Sequence, residues 1–471
     1  MRDGLSRLAE RVSVVALAAL LVTLPFWRFR VLIHRPGDPV FFEFHDVTLY
    51  TNDLVWGLAL GAWLVSRLMS RTSAKEAVPR RPAWQWGPAF LAGPLMGLLA
   101  LGIVGLPWAV DPVYAGYQAL RVILLLASFL MMVNLPLRPG IIAWPLAAGV
   151  AIQAAAGIPQ SLVGHSLGLK SWGEVTVQAA WSGASVVMVG EQRWLRAYGF
   201  TQHPNLLGGL LMASLLAIGG YYLGRSGGRR ALLLVALGLG MATLLLTFSR
   251  AAWLGAVAGG LTLVGVIVWA RWRGQRLAVR SSVVSLTIVV IVVLLTFVAI
   301  YWPLLQPRLG LVSQGVEIRS VDARVMQIKA SWTLIRMRPL LGVGLGNFPT
   351  ALYRLAPETM AAYPVFEPVH NVALLSTAEL GVLGGALWLC LLFSPWHALW
   401  LRRREMRLNP WWAGLSAALA GLTVVSFLDA YVWSSHQGRL MLWLVWGLWA
   451  REWVNSRAAP SEKEPIPTRV E

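Results

Sequence analysis

Long apolar runs, separated by polar segments, recur along the whole chain. Most of them hold about 18 residues or more, which is enough for an α-helix to cross a bilayer. Backbone polar groups find no water in the hydrocarbon layer, so such runs favour helices. The pattern predicts about twelve transmembrane helices, at roughly 12–27, 53–68, 87–109, 113–133, 140–162, 204–223, 231–249, 251–270, 281–302, 369–395, 411–431 and 438–453.

The segment between helices nine and ten is longer than the other polar segments. Four of its apolar residues follow a helical spacing and predict an amphipathic helix that lies flat on the outer leaflet or caps the bundle. These residues are Val325, Ile328, Trp332 and Ile335. Pro339 ends this helix, and a second short helix is expected near 350–355. The predicted organisation is helices one to nine in 1–302, the loop in 303–368, helices ten to twelve in 369–455 and a disordered tail in 456–471.

Composition strengthens the membrane assignment. Of 471 residues, 57% are hydrophobic and only 13% are charged, whereas soluble domains carry about 25% charged residues. The one cysteine, Cys390, excludes an intrachain disulfide and any cluster that needs several cysteines. The predicted fold class is an all-α polytopic membrane protein.

The net charge of +19 has a topological explanation. Arginines and lysines concentrate in alternate loops, together with both termini, and the positive-inside rule makes that side cytoplasmic. The long loop then faces the periplasm. Anionic lipid headgroups account for this basic charge better than nucleic acid does.

The segment that begins at His370 is the first candidate for chemistry. His370 and Asn371 stand at the watery end of predicted helix ten, and Gly381 and Gly384 follow. Imidazole titrates near neutral pH, so His370 could accept a proton from a substrate hydroxyl; alternatively, it caps the helix. The glycines are interpreted as helix-packing residues, since Gly381 and Gly385 form a small-xxx-small pair.

Arginines on the predicted external side form the second candidate set. Arg250 lies between helices seven and eight with almost no loop, where a guanidinium could grip phosphate oxygens in bidentate fashion; the alternative is an arginine that snorkels at a helix end. Arg324 and Arg319 lie on the amphipathic helix, with a solvated helix face as the alternative.

A turn before predicted helix six supplies further candidates. Arg196 precedes it, and His203 and Asn205 flank Pro204, which begins the helix. Asn205 is expected to face the membrane boundary. His203 is either a contact to the acceptor or a structural residue.

Other polar features have less defined roles. The run Gly342, Gly344 and Gly346 could form an anion-binding nest or a flexible loop. Glu379, inside an apolar run, requires a partner such as Arg or His. Two more arginines intrude into helices and could line the same cavity, Arg121 and Arg439.

Common cofactor and metal motifs are absent from the sequence. It has no P-loop, HExxH, EF-hand or GxSxG motif, and no external acidic pair for a divalent metal. No metal and no cofactor are therefore predicted. Arginines and one histidine instead suit a phosphate-bearing substrate that is already in the membrane.

Together these segments resemble the bacterial O-antigen ligase family, which shares its signature region with O-antigen polymerases and O-linking oligosaccharyltransferases. The hallmark His-(Asn/Ser/Gln)-x9-Gly-x-x-Gly is matched by His370, Asn371, Gly381 and Gly384, and Arg-x3-Leu by Arg250 and Leu254. The loop pattern is matched by Arg324, Trp332, Pro339, Gly342, Gly344, Gly346, Asn347 and Phe348, and the short Gly-x-x-x-x-Pro-Asn turn by Gly199 to Asn205.

The resemblance implies a glycosyltransferase C-like membrane enzyme of the bacterial inner membrane. Its donor would be an undecaprenyl diphosphate-linked glycan, and its acceptor a lipid A-core sugar, another lipid-linked repeat unit or a protein hydroxyl. The implied chemistry is inverting and metal-independent, with Arg250 and Arg324 on the diphosphate and His370 as the base.

A transporter is the competing hypothesis from another class. It predicts paired broken helices, ionisable groups near the midplane and internal symmetry, and the sequence indicates none of these. A structural or sensor protein has no positive support in the sequence.

Overall fold

The computed structural model describes residues 2–35, 40–71, 84–275, 280–311, 315–360, 365–403 and 408–458. Side chains are described for these residues apart from 2–3, 70–71, 280–281, 315–321 and 457–458. The predicted tail beyond 458, and parts of two arginine-rich loops at 72–83 and 404–407, therefore lie outside the described residues.

The described chain is mostly helical, as predicted for this fold class. The helices are α1 (Arg2–Thr23), α2 (Thr51–Arg71), α3 (Ala89–Val104), α4 (Pro112–Asn134), α5 (Pro139–Val163), α6 (Pro204–Leu223), α7 (Arg230–Leu246), α8 (Arg250–Trp272), α9 (Arg280–Arg308), α10 (Gly315–Met337), α11 (Phe348–Leu355), α12 (Val372–Leu401), α13 (Pro410–Leu428), α14 (Tyr431–Ser434) and α15 (His436–Ala458). Within the described residues, seven are long and apolar enough to cross a membrane, namely α4, α5, α6, α8, α9, α12 and α13. The number twelve stays a prediction.

Small residues bring the central helices into close contact. Helix α13 packs against both α6 and α8. A Cβ built on Gly220 would lie 2.5 Å from the Cα of Gly414, so the α6 and α13 backbones touch directly. Close approach through glycine is typical of membrane helices, whose association gains little from the hydrophobic effect.

Two small antiparallel hairpins, which the sequence analysis did not predict, lie between the helices. Strand β1 (Phe29–Ile33) pairs with β2 (Val47–Tyr50), and β3 (Val186–Val189) pairs with β4 (Gln192–Leu195). Strands of four or five residues give too short an alternation to stand out in polar segments.

Helix α10 runs through the segment where the amphipathic helix was predicted. Ala330, Ser331 and Leu334 are fully buried, whereas Val325 and Trp332 of the predicted apolar stripe are 45% and 50% exposed. Ile335 of the same stripe is buried, and Ile328 is 41% exposed. The buried face of α10 lies against α12, and its small residues allow close helix packing.

Helix α12, the predicted helix ten, is broken at Gly381. This residue has φ 73° and ψ −177°, a region that is essentially restricted to glycine. A Cβ there would lie 2.0 Å from the carbonyl oxygen of Leu340. The chain after α10 inserts into the break: Val382 N donates to Pro339 O (2.9 Å) and Val343 N to Ala378 O (2.9 Å).

The break corrects two expectations. Gly381 does not serve helix–helix packing, because it accommodates the inserted loop. A Cβ on Gly384 or Gly385 would meet the same helix, at Leu380 Cβ (2.3 Å) and Thr377 Oγ1 (2.0 Å). The sequence analysis expected no broken helix, and α12 is one; the inserted main chain satisfies the backbone groups that the break frees, as the bilayer requires.

The glycine run is an ordered part of this joint. Gly342, Gly344 and Gly346 all have positive φ, and Gly346 N donates to a carboxylate oxygen of Glu379 (2.8 Å). The Trp433 indole donates to the same oxygen (2.8 Å). The glycine run therefore binds the chain's own carboxylate, and Arg439 interacts with Glu379 electrostatically, in line with the expected arginine partner.

Arg121 belongs to a separate buried cluster. Its guanidinium donates to both carboxylate oxygens of Asp53 (3.1 and 3.0 Å) and to the carbonyl of Thr48 (2.9 Å). The His436 ring lies 3.0 Å away. The ion pair ties α2, α4 and α15 together. Arg439 lines a small void of about 20 Å³ nearby, so neither arginine lines the external cavity that was expected.

Candidate active site

A very tight connection between α7 and α8 positions Arg250, as predicted. Helix α7 ends at Leu246 and α8 begins at Arg250, with the Ser249 hydroxyl accepting from Ala252 N (3.4 Å) as N-cap. Among the described residues, Phe248 is the one non-glycine with positive φ (47°), and it is fully buried. Such strain persists only where the surroundings enforce it, so the turn fixes the start of α8.

The turn before α6 is anchored on α5. Gly199 has φ 57°, and its N–H donates to Gln160 Oε1 (2.8 Å). Beyond the turn, Asn205 Oδ1 accepts from Arg196, and Asn205 Nδ2 donates to Asp429 Oδ2 (2.8 Å). Asn205 therefore couples a predicted arginine to a carboxylate that follows α13.

Both ring nitrogens of His203 have partners. Nδ1 accepts from Asn205 N (3.1 Å) as the N-cap of α6, so Nε2 carries the proton and donates to Ser185 Oγ (2.9 Å). Burial, together with the nearby charge of Arg196, lowers the pKa of His203 to about 3. His203 is thus a neutral ring whose two nitrogens both hold the scaffold.

His370 has a different environment. It precedes Asn371, whose side chain caps α12 by accepting from Leu374 N (3.1 Å). His370 Nδ1 lies 2.8 Å from Oε1 of Gln327, which is buried on α10. Because that amide oxygen accepts, Nδ1 is protonated and the lone pair lies on Nε2, where a proton acceptor would need it.

These segments surround one cavity of about 510 Å³, here named the basic cavity. It brings together six predicted site residues: Arg196, His203, Asn205, Arg250, Arg324 and His370. Its other charged residues are Arg193, Arg308 and Glu367. Five guanidinium groups against one carboxylate make this cavity suited to a multiply charged anion.

The remaining predicted site residues lie elsewhere. The side chain of Arg319 is outside the described residues. Asn371 caps α12 and donates to Phe427 O (3.3 Å), and Leu254 is 54% exposed on the outer side of α8. The motif glycines form the joint between α10 and α12. Asn371, Leu254 and the motif glycines are not among the described residues that line the basic cavity.

A second cavity of about 420 Å³ adjoins the first and is named here the acidic cavity. The two share His203, Asn205, Glu367 and His370. The second is otherwise lined by carboxylates and aromatic rings, notably Glu43, Asp429, Trp27, Phe42 and Tyr431. No lysine or arginine is among the described residues that line it.

Burial raises the pKa of two carboxyl groups of the acidic cavity, those of Glu43 and Glu367. It raises the pKa of Glu43 to about 7, with a partly opposing hydrogen bond from Gln202 and a further increase from Glu367. For Glu367, burial also raises the pKa, His370 opposes the shift and Asp429 adds to it.

The comparison with protein families identifies the central part of the chain. Residues 231–389 match the family model described as O-Antigen ligase. This match places the segment in the O-antigen ligase family. No curated protein matches the chain.

The matched segment runs from α7 into α12 and includes Arg250, Arg324 and His370. The family groups membrane enzymes of ligase, polymerase and oligosaccharyltransferase type, which use lipid-linked glycans and glycan acceptors. Arg196, His203 and Asn205 lie before the match, yet they line the same cavity as the matched residues.

Sequence reasoning missed several residues of the two cavities. Gln327 was overlooked because it stands among apolar residues without a motif. Arg308 was assigned to a loop, but α9 continues through Pro303 with a kink at Tyr301 and ends at Arg308. Glu43 and Glu367 lie in polar segments, and their half-buried positions depend on tertiary packing.

Proposed function

We propose that this protein transfers a glycan from undecaprenyl diphosphate to a hydroxyl of an acceptor, as an inverting, metal-independent glycosyltransferase of the O-antigen ligase type. The observation that carries the proposal is the shared cavity of Arg250, Arg324 and His370. The reaction would take place on the periplasmic face of the bacterial inner membrane, with both termini in the cytoplasm.

The arginines would bind the diphosphate. Guanidinium groups match phosphate oxygens in planar, bidentate geometry. Negative charge grows on the leaving diphosphate as its bond to the sugar breaks, so fixed cations stabilise the transition state more than the ground state. Arg250 and Arg324 would carry this role, with Arg196 and Arg308 nearby.

His370 would act as the general base. Gln327 holds Nδ1–H, so Nε2 can take the proton of the acceptor hydroxyl. The acceptor oxygen forms a bond to the anomeric carbon as the bond from that carbon to the diphosphate oxygen breaks. The proton goes to His370, undecaprenyl diphosphate leaves, and the configuration at the anomeric carbon inverts.

The lipid tail of the donor could reach the basic cavity along α9. In the most apolar 18-residue stretch of Ser282–Arg308, only 6% of the residues are buried in the protein. Most of the surface of α9 therefore faces outward. The same helix ends at Arg308, on the lining of the cavity. A chain in the bilayer could thus lie beside α9 while its diphosphate meets the arginines.

Reconstitution would test the proposal. The purified full-length protein is combined with undecaprenyl diphosphate-linked glycan and a glycan acceptor, and products are identified by mass spectrometry. We expect the glycan on the acceptor and free undecaprenyl diphosphate. Movement of the lipid-linked sugar between leaflets without any covalent product would support a transporter instead.

The glycan profile of a deletion strain would separate the members of the family. Loss of all long chains from lipid A-core, with polymer still on the carrier, indicates a ligase. Single repeat units that remain on lipid A-core indicate a polymerase. Glycan missing only from proteins indicates a protein transferase.

A further inference from the structure

The acidic cavity has no assigned ligand, although His370 forms part of its wall. We propose that it binds the terminal sugar of the acceptor and selects a sugar that carries no negative charge. This inference rests on the proposed function and adds the substrate class to it.

The position of the base assigns the two cavities to the two substrates. His370 lines both, so a hydroxyl presented from the acidic cavity can meet its ring while the diphosphate occupies the basic cavity. In-line displacement needs the nucleophile and the leaving group on opposite sides of the anomeric carbon. Two cavities that meet at the base provide this arrangement.

The lining of the acidic cavity matches the chemistry of a pyranose. A sugar ring has apolar C–H faces and a rim of hydroxyl donors. Aromatic rings such as Trp27 and Phe42, whose centroids are 6.5 Å apart, can pack against the C–H faces. Carboxylates of Glu43 and Glu367 can accept hydrogen bonds from the hydroxyls. A volume of about 420 Å³ is within the range of small-molecule sites.

Fixed neighbours hold two of the carboxylate-bearing segments in place. The carbonyl of Glu43 accepts from the Tyr114 hydroxyl (2.6 Å), which ties the segment between β1 and β2 to α4. Asp429 accepts from Asn205 Nδ2 and from Ala430 N, each at 2.8 Å. These bonds are made within the protein, so the segments that carry Glu43 and Asp429 are anchored to α4 and α6.

The same wall disfavours an anionic acceptor. Three carboxyl groups, those of Glu43, Glu367 and Asp429, line the acidic cavity, and no lysine or arginine is among its described lining residues. A phosphate or a second carboxylate would lose its water there without gaining a cation. Phosphorylated or uronic-acid termini are thereby excluded from the acceptor position, while the arginines on the other side of His370 retain the anionic donor.

Matched acceptors would test this selection with the full-length protein and lipid-linked donor. Each pair has the same linkage and differs at one terminal group: glucose against glucuronic acid, galactose against galacturonic acid, and mannose against mannuronic acid. Because an anion that is buried without a cation is disfavoured, we expect kcat/KM to be at least about tenfold higher for the neutral member of each accepted pair.

Glutamine substitutions locate the effect. Glu43→Gln and Glu367→Gln should each lower the ratio of kcat/KM for the neutral acceptor to kcat/KM for the anionic one. Glu358 is an exposed residue outside both cavities, so Glu358→Gln should leave this ratio unchanged. The ratio is measured on one preparation and so does not depend on the fraction folded. Equal use of neutral and anionic acceptors by the wild type, or an unchanged ratio in both cavity variants, overturns the inference while the proposed function stands. Absence of transfer to every acceptor contradicts the proposed function itself.

Discussion

His203 and His370 each stand at the beginning of a helix and line both cavities, yet their hydrogen bonds differ. His203 uses both ring nitrogens, to Asn205 N and Ser185 Oγ, and is held neutral. His370 is bonded at Nδ1 to Gln327, and this fixes its lone pair on Nε2. The surroundings of each ring, rather than its position beside the cavity, separate a structural imidazole from a candidate base.

Alanine at each histidine would test this difference most strongly. His370→Ala removes the proposed base, so transfer should fall by about 10²–10⁴-fold while binding of the lipid-linked donor persists. His203→Ala removes an N-cap, which costs about 1 kcal/mol of stability, and should keep most of the transfer activity. Rates and thermal midpoints of both variants check this. Equal losses of transfer would contradict the distinction between the two rings.

Arg250→Lys tests the proposed binding of the diphosphate in the basic cavity. Lysine keeps the charge but cannot supply the planar fork for two phosphate oxygens. Removing a preorganised group of this kind typically lowers kcat by about 10²–10³-fold. We expect a decrease of this size for Arg250→Lys when kcat is measured with saturating donor.

Arg138→Lys is a matched control for this change, because Arg138 is an exposed arginine at the N-terminus of α5 and lines neither cavity. Its transfer rate should equal that of the wild type. Transfer by Arg250→Lys within a few-fold of the wild type would show that a point charge suffices there.

Gln327 is a positioning residue whose variants should change the pH profile. Gln327→Glu places a carboxylate against Nδ1 and favours the imidazolium, so the acid limb of kcat/KM should move to higher pH. Gln327→Leu removes one hydrogen bond, and a loss of up to about tenfold is expected. A purely structural role would lower the amount of folded protein in both variants and leave the pH profile in place.

Local patterns predicted the helices and several of the chemical groups. Apolar periodicity located the membrane helices, and motif spacing led to Arg250, Arg324 and His370, which the structure brings to one cavity. The insertion of the chain after α10 into α12 could not be predicted. Around Gly381 the local sequence is apolar and indicates a continuous helix, and the break arises because residues 339–344 dock there.

The residues that α10 packs against the protein were not assigned from the sequence. In water an apolar stripe marks the buried face, but a helix beside lipid can expose its apolar side and bury its small and polar residues. Gln327 lies on that buried face, 2% exposed, so the residue that orients the proposed base was indistinguishable from a solvated glutamine.

The smallest expected effect concerns the stability contributed by His203. Its pKa in the folded protein is about 3, below the ordinary value of 6.5. Between these values the unfolded chain binds a proton that the folded protein does not, so stability is full above about pH 6.5 and decreases as the pH falls. The decrease is at most about 1.4 kcal/mol per pH unit, and less because the ring keeps a partly exposed edge on the cavities.

His203→Asn keeps an N-cap acceptor and cannot titrate in this range. Its thermal midpoint in detergent should therefore decrease less between pH 7 and pH 5 than that of the wild type, with both measured at the same scan rate. Parallel decreases would mean that His203 already binds a proton in the folded protein, and its assignment as the fixed neutral ring of the pair would then fail.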